Sequence, residues 1–200
     1  MKTTTVPGSK LLLTVALVSA LARFAFAADT TAFQLIKEAN EYVGKEAKDK
    51  VVQIRSEKSV GTLTPNIWYV VFFDPDATFK STEVKFGAGQ KMEVKRPMRM
   101  LEMVKAEKVF DRTKLKVDSD EAIRIATKQP LLANLTMKAT QLWLDSNLKS
   151  DLSVTSPVWR VRLWAAKLRN PNDNADIGEV FISAEDGKVL KTDIHPDRVD

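Results

Sequence analysis

Few residues in this chain have the type and spacing to do chemistry. His195 is the sole histidine. A nucleophilic triad needs a histidine held by packing and oriented by a carboxylate. His195 stands beside Pro196 in a charged tail and reads as solvated. Zinc sites draw on several Cys or His ligands, and the chain has no cysteine. Asn172, Asn174 and Asp176 share the spacing of the first ligands of a calcium loop. An EF-hand continues with glycine at position 177 and glutamate at 183, where this chain has Ile177 and Ser183. The run therefore reads as a polar hairpin loop. Asp118, Asp120 and Glu121 offer carboxylates for acid–base work. They also fall where a helix begins, and negative charge is stabilising there in any case. No H-E-x-x-H, G-x-S-x-G, Walker or G-x-G-x-x-G pattern occurs. The sequence thus assigns no catalytic, cofactor-binding or metal-binding residue and does not read as an enzyme.

One constellation resists a bland reading. From Ser156 to Lys167 the chain alternates, with Trp159, Val161, Leu163 and Ala165 on one face and Arg160, Arg162 and Trp164 on the other. Period two over such a run predicts a half-buried strand. Burying two unpaired guanidinium groups is costly, so the second face is expected to be solvated or paired with acids. A tryptophan between two cations suits an acidic or aromatic-bearing protein segment. Arg160, Arg162 and Trp164 are therefore the candidate protein-binding face. The corresponding positions of an earlier strand, Tyr69, Val71 and Phe73, are apolar. Either another part of the chain or a partner must cover them.

Two similar runs of elements position these residues. Thr31 with Gln34 forms a capping box. Ala32, Leu35, Ile36, Ala39 and Val43 follow at helical spacing, with Gly44 as C-cap. Strands are predicted over 50–57 and 66–74, with Val52 and Ile54 facing inward in the first. A hairpin follows through Gly87-Ala88-Gly89. The second run opens with Asp118 and Glu121 as a capping-box-like start. Ala122, Ile125 and Ala126 make its apolar stripe, and Pro130 closes the helix. Strands over 135–144 and 156–167 follow, then a loop over 170–176. A last hairpin turns on Asp186-Gly187, a pair suited to a type I′ turn. Trp68 and Trp159 match as core residues. Residues 96–116 read as a short helix and connector whose Met98, Met100 and Met103 fill gaps in the core.

Residues 1–27 carry an export pattern. Lys2 and Lys10 precede an apolar stretch from Leu11 to Leu21, and Ala25-Phe26-Ala27 is a cleavage site. The apolar stretch is shorter than the roughly 20 residues needed to span a bilayer. The expected mature chain begins at Ala28 and goes to the periplasm or the medium, with no transmembrane segment. Lys2, Lys10 and Arg23 leave with the signal. That leaves 28 basic against 26 acidic residues, interleaved throughout. A nucleic-acid-binding domain needs clustered basic residues, so that class is set aside.

The helix opening Asp118-Ser119-Asp120-Glu121-Ala122-Ile123-Arg124-Ile125-Ala126, a strand containing Trp143 or Trp159, and the ending Val180-Phe181-Ile182-Ser183-Ala184-Glu185-Asp186-Gly187-Lys188-Val189-Leu190 together resemble a PepSY domain. The resemblance spans 117–194, with a divergent earlier copy over 31–94 that lacks the acidic turn residue at Gly87-Ala88-Gly89-Gln90. It implies an α+β fold of two tandem PepSY-like units, over 28–95 and 117–200, each a helix packed on its own antiparallel β-sheet. It also implies an exported, non-enzymatic binding module acting on a protein partner, a peptidase being the suspected one. A small-ligand or enzymatic cavity protein and a structural envelope protein are the alternatives. The inward positions Val52, Ile54, Trp159, Val161 and Leu163 are apolar, which counts against a catalytic cavity.

Overall fold

The computed structural model describes residues 30–98, 104–146 and 156–200. The proposed signal segment and the connector positions Met100 and Met103 lie outside them. Two short helices, α1 (Ala32–Ala39) and α2 (Ser119–Thr127), accompany eight strands: β1 (Val51–Ser56), β2 (Ile67–Phe73), β3 (Ser81–Gly87), β4 (Gln90–Lys95), β5 (Met137–Asp145), β6 (Val158–Ala166), β7 (Asn174–Ser183) and β8 (Val189–Ile194). The strands form one antiparallel sheet in the order β4-β3-β2-β1-β5-β6-β7-β8. Among the described residues no helix is long and apolar enough to cross a membrane.

This overturns the expected fold of two helix-on-sheet units. The element order does repeat, but β1 pairs with β5 and fuses the two runs edge to edge. Ser56 Oγ accepts from the Leu142 amide at 2.9 Å, and Ser59 Oγ accepts from the Thr140 amide at 2.9 Å. Buried serines thereby satisfy amides beyond the reach of the backbone ladder. Both helices lie on one face of this sheet and share one core, which runs from Leu35 and Ile36 of α1 to Ala122 and Ile123 of α2. Phe33 of α1 stacks on Trp159 of β6 with ring centroids 6.5 Å apart. A single sheet dominates, and its main core takes residues from both runs.

The helices form for local reasons and meet start to start. In α1, Ala32, Leu35, Ile36 and Ala39 recur on one buried face. Gln34 Oε1 accepts from the Thr31 amide at 3.2 Å. Asp118 caps α2 through the Ser119 amide at 2.7 Å, and the same oxygen accepts from the Phe33 amide of α1 at 3.1 Å. Ser119 Oγ accepts from the Ala32 amide at 3.0 Å. The open amides of α1 are thus closed by the cap of α2. Glu121 does not complete a second capping box, because its carboxylate pairs with Arg124 instead.

Further expectations are corrected. Helix α1 ends at Ala39 rather than at Gly44, because Asn40 turns the chain by bonding Asp49 through both its amide nitrogen and its oxygen. Strand β1 carries a bulge between Val51 and Gln53. A bulge shifts the alternation by one residue, so Val51 and Ile54 face the helices while Val52 joins Val71 and Val104 on the opposite face. The type I′ turn lies at Ala88-Gly89, both with positive φ, whereas at Asp186-Gly187 only Gly187 has it and the loop is longer. Strand β7 begins at Asn174, within the expected loop. The connector holds single 3-10 turns over Ala106–Lys108 and Arg112–Lys114. Met98 is exposed, and among the described residues of the connector Val104 and Val109 pack with Val71 and Phe73.

Candidate functional site

The face of the sheet opposite the helices carries the candidate residues. In β6, Trp159, Val161, Leu163 and Ala165 are buried towards the helices, and Trp159 Nε1 donates to the Val117 carbonyl at 2.8 Å. Arg160, Arg162 and Trp164 point the other way and are half-buried.

Residues opposite one another on neighbouring antiparallel strands share a face. Following the register from β3 to β8, Lys85 stands opposite Tyr69, Tyr69 opposite Arg55, Arg55 opposite Trp143, Trp143 opposite Arg160, Arg160 opposite Phe181, and Phe181 opposite Lys191. The row alternates cation and aromatic across the sheet. The side chains stack accordingly. The Arg55 guanidinium lies 3.9 Å from the Tyr69 centroid and that of Arg160 lies 4.1 Å from Trp143. Lys85 and Lys191 approach Tyr69 and Phe181 at 5.2 and 5.8 Å. All lie within the roughly 6 Å over which a ring quadrupole attracts a cation.

The cations of this row differ in their partners. Arg55 donates to Glu83 at 2.7 Å, and Lys85 lies 3.6 Å from Glu57. In the adjoining row, Arg162 pairs with Asp176, Nε to Oδ2 at 2.8 Å. That bond pushes the Arg162 guanidinium further up. Burial works to raise the Asp176 carboxyl, but hydrogen bonds from Arg162 and the Gly178 amide hold it below the usual carboxylate range. Lys58 lies 4.5 Å over Trp164 and donates to Asn174 at 2.6 Å; partial burial pushes its ammonium down, against the pull of Asp176. Among the described residues no carboxylate bonds Arg160 or Lys191; of the two, Lys191 is exposed, whereas Arg160 is half-buried and its Nε is buried with no hydrogen-bond partner.

The other sequence candidates fall into place around this face. His195 lies in a shallow cleft of about 170 Å³ with Arg162, Asp176, Gly178, Glu179, Asp193 and Arg198. Its Nε2 is 3.1 Å from Asp193 Oδ1. Among the described residues no serine, threonine or cysteine lines that cleft. Asn174 and Asp176 belong to a strand rather than a wrapping loop, and their oxygens are occupied by Lys58, Arg162 and the Gly178 amide. Asp118 is a cap.

Sequence reasoning places Arg160, Arg162 and Trp164 on one face but misses Trp143, Arg55, Tyr69 and Phe181 as neighbours. Trp143 and Arg160 are linked by the β5–β6 register, which period two alone does not set. Arg55 and Trp143 meet only through β1–β5, a pairing between distant segments with no local signal. Comparison with family models, with curated proteins and with solved structures gives no match for this chain, to PepSY domains or to any other group.

Proposed function

We propose that this protein is an exported, non-catalytic binding module whose outer sheet face takes an acidic, aromatic-bearing segment of a protein partner. The observation that carries this reading is Arg160, whose guanidinium is stacked on Trp143 with no carboxylate among the described residues bonded to it. A planar guanidinium held flat on an indole loses little freedom when it donates to a carboxylate in a fork. Trp164 stands half-exposed on the same strand face, with Lys58 and Arg162 against its ring, and adds aromatic surface to the contact. The His195 cleft is the weaker site, since Arg162 is already paired with Asp176 and Asp193 already meets His195. The export pattern of residues 1–27 supports a meeting in the periplasm or the medium. The PepSY resemblance adds nothing to this reading, because no family model matches and the two-unit fold it implies is overturned.

The test is a fluorescence titration of the protein with a synthetic peptide rich in Glu and Tyr, read from tryptophan emission. Arg160→Ala is expected to weaken binding by about tenfold or more, as loss of a central interface arginine does, while leaving the melting temperature nearly unchanged. Arg160→Lys, which keeps charge but loses the fork, is expected to fall between. Equal binding by Arg160→Ala, or tighter binding of a Lys-rich peptide or a single-stranded oligonucleotide, overturns the reading.

A further inference from the structure

Strand β4 is one edge of the sheet, and all six of its side chains are exposed. Met92 and Val94 are 57% and 41% exposed. Edge strands are usually defended against pairing by lysines or by short length. Strand β4 carries Lys91 and Lys95, but Glu93 and Lys95 flank Val94 with opposite charges. Lys95 lies 3.6 Å from Glu93 and 3.6 Å from Glu83 within the chain, and the Glu93–Lys95 pair can be exchanged for the same pair across a two-fold axis, which makes the edge complementary to itself. We propose that β4 pairs antiparallel with β4 of a second copy, centred on Val94.

In that register Val94 faces Val94, and Glu93 of each copy faces Lys95 of the other. The contact is isologous, as a two-fold dimer requires, and it extends the sheet through both molecules. Hydrogen-bonded and non-bonded pairs alternate in an antiparallel ladder, so the register is compatible with Val94 in either kind of pair. The opposite edge, β8, also alternates charge through Lys191 and Asp193. Charges on both edges have partners within the chain, but in β8 the central position is Thr192 instead of an apolar residue. Apolar exposure therefore selects β4.

The chain has no cysteine, so Val94→Cys introduces a single thiol. Opposed residues across an antiparallel pair have Cβ atoms about 4.5–5.5 Å apart, close enough for a disulfide with small adjustment. Mild oxidation is expected to link Val94→Cys into a covalent dimer at least about tenfold faster than Thr192→Cys or Leu168→Cys, because pairing raises the effective thiol concentration. Adding Glu93→Lys, which places lysine against Lys95 of the other copy, is expected to bring the rate down to that of the controls. Sedimentation of the unmodified protein is expected to show a dimer that loosens with salt. The proposal is overturned if Val94→Cys links no faster than Leu168→Cys, if Thr192→Cys links fastest, if Glu93→Lys leaves the rate unchanged, or if the unmodified protein sediments as a monomer at every concentration.

Discussion

Trp159 and Trp164 lie on one strand and face opposite ways. Trp159 is fully buried, bonds the Val117 carbonyl and stacks on Phe33. Its truncation to alanine is expected to cost about 3–5 kcal/mol. Trp164 is half-exposed beneath Lys58 and Arg162, so Trp164→Ala is expected to cost under about 1 kcal/mol. Urea melts of the two variants check the contrast, and similar midpoints would mean that β6 is core on both faces. Acid lability also belongs to this scale. Burial works to raise the Asp74 carboxyl, but hydrogen bonds from Thr82 and the Asp76 amide, with Arg96 nearby, hold it below the usual range. A depressed folded value means that the unfolded chain binds the proton more tightly. Stability from Asp74 is therefore full above the unfolded value of about 4 and is lost as pH falls through the depressed folded value. Asp74→Asn is expected to be less stable at neutral pH and to lose less on acidification. Melts from pH 7 to pH 2.5 show this as converging curves.

The helix starts and the turns are where local sequence and structure part company. Asp118 closes amides of both helices. Asp118→Ala is expected to cost about 1–2 kcal/mol, at the upper end of what a single cap contributes, and Thr31→Ala less. Ala88 sits at φ 49° in the β3–β4 turn, a conformation that disfavours a residue with a Cβ. Ala88→Gly is therefore expected to raise stability by up to about 1 kcal/mol, read as a higher denaturant midpoint. The Asp-Gly pair drew the type I′ expectation to the wrong hairpin. What decides the turn is loop length, and Ala88-Gly89 closes in two residues where Ala184 to Gly187 does not. Strand content is legible because alternation in β6 is a local property. The bulge in β1 is not, because nothing in Val51-Val52-Gln53 marks the extra residue, and one residue of slip sends Val52 to the other face. Of the site, the Arg160 face is legible and the ladder is not, since the ladder depends on which strands lie side by side.

At the scale of the molecule, the β1–β5 junction decides whether the chain behaves as one body or two. Period-two patterning is the same for a strand at an edge and one in the middle of a sheet, so sequence alone leaves β1 and β5 as candidate edges of separate units. The structure pairs them and seals the junction with Ser56 and Ser59, both buried. Ser56→Ala leaves the Leu142 amide without its side-chain acceptor in a dry setting, a loss of about 1–3 kcal/mol. If the halves were independent, that loss would fall on whichever half is less stable alone. One shared core requires it to fall on both. Trp68 reports on the first half and Trp159 on the second, each buried with its indole bonded to a carbonyl. Four denaturation curves check this, from variants that retain one or the other of these indoles (Trp159→Phe and Trp68→Phe, each with Trp143 and Trp164 also replaced by Phe), with and without Ser56→Ala. The expected outcome is that the serine change lowers the midpoint by a similar free energy in both single-indole variants, whatever their starting midpoints. A shift confined to the Trp68 curve would show that the single sheet unfolds as two bodies.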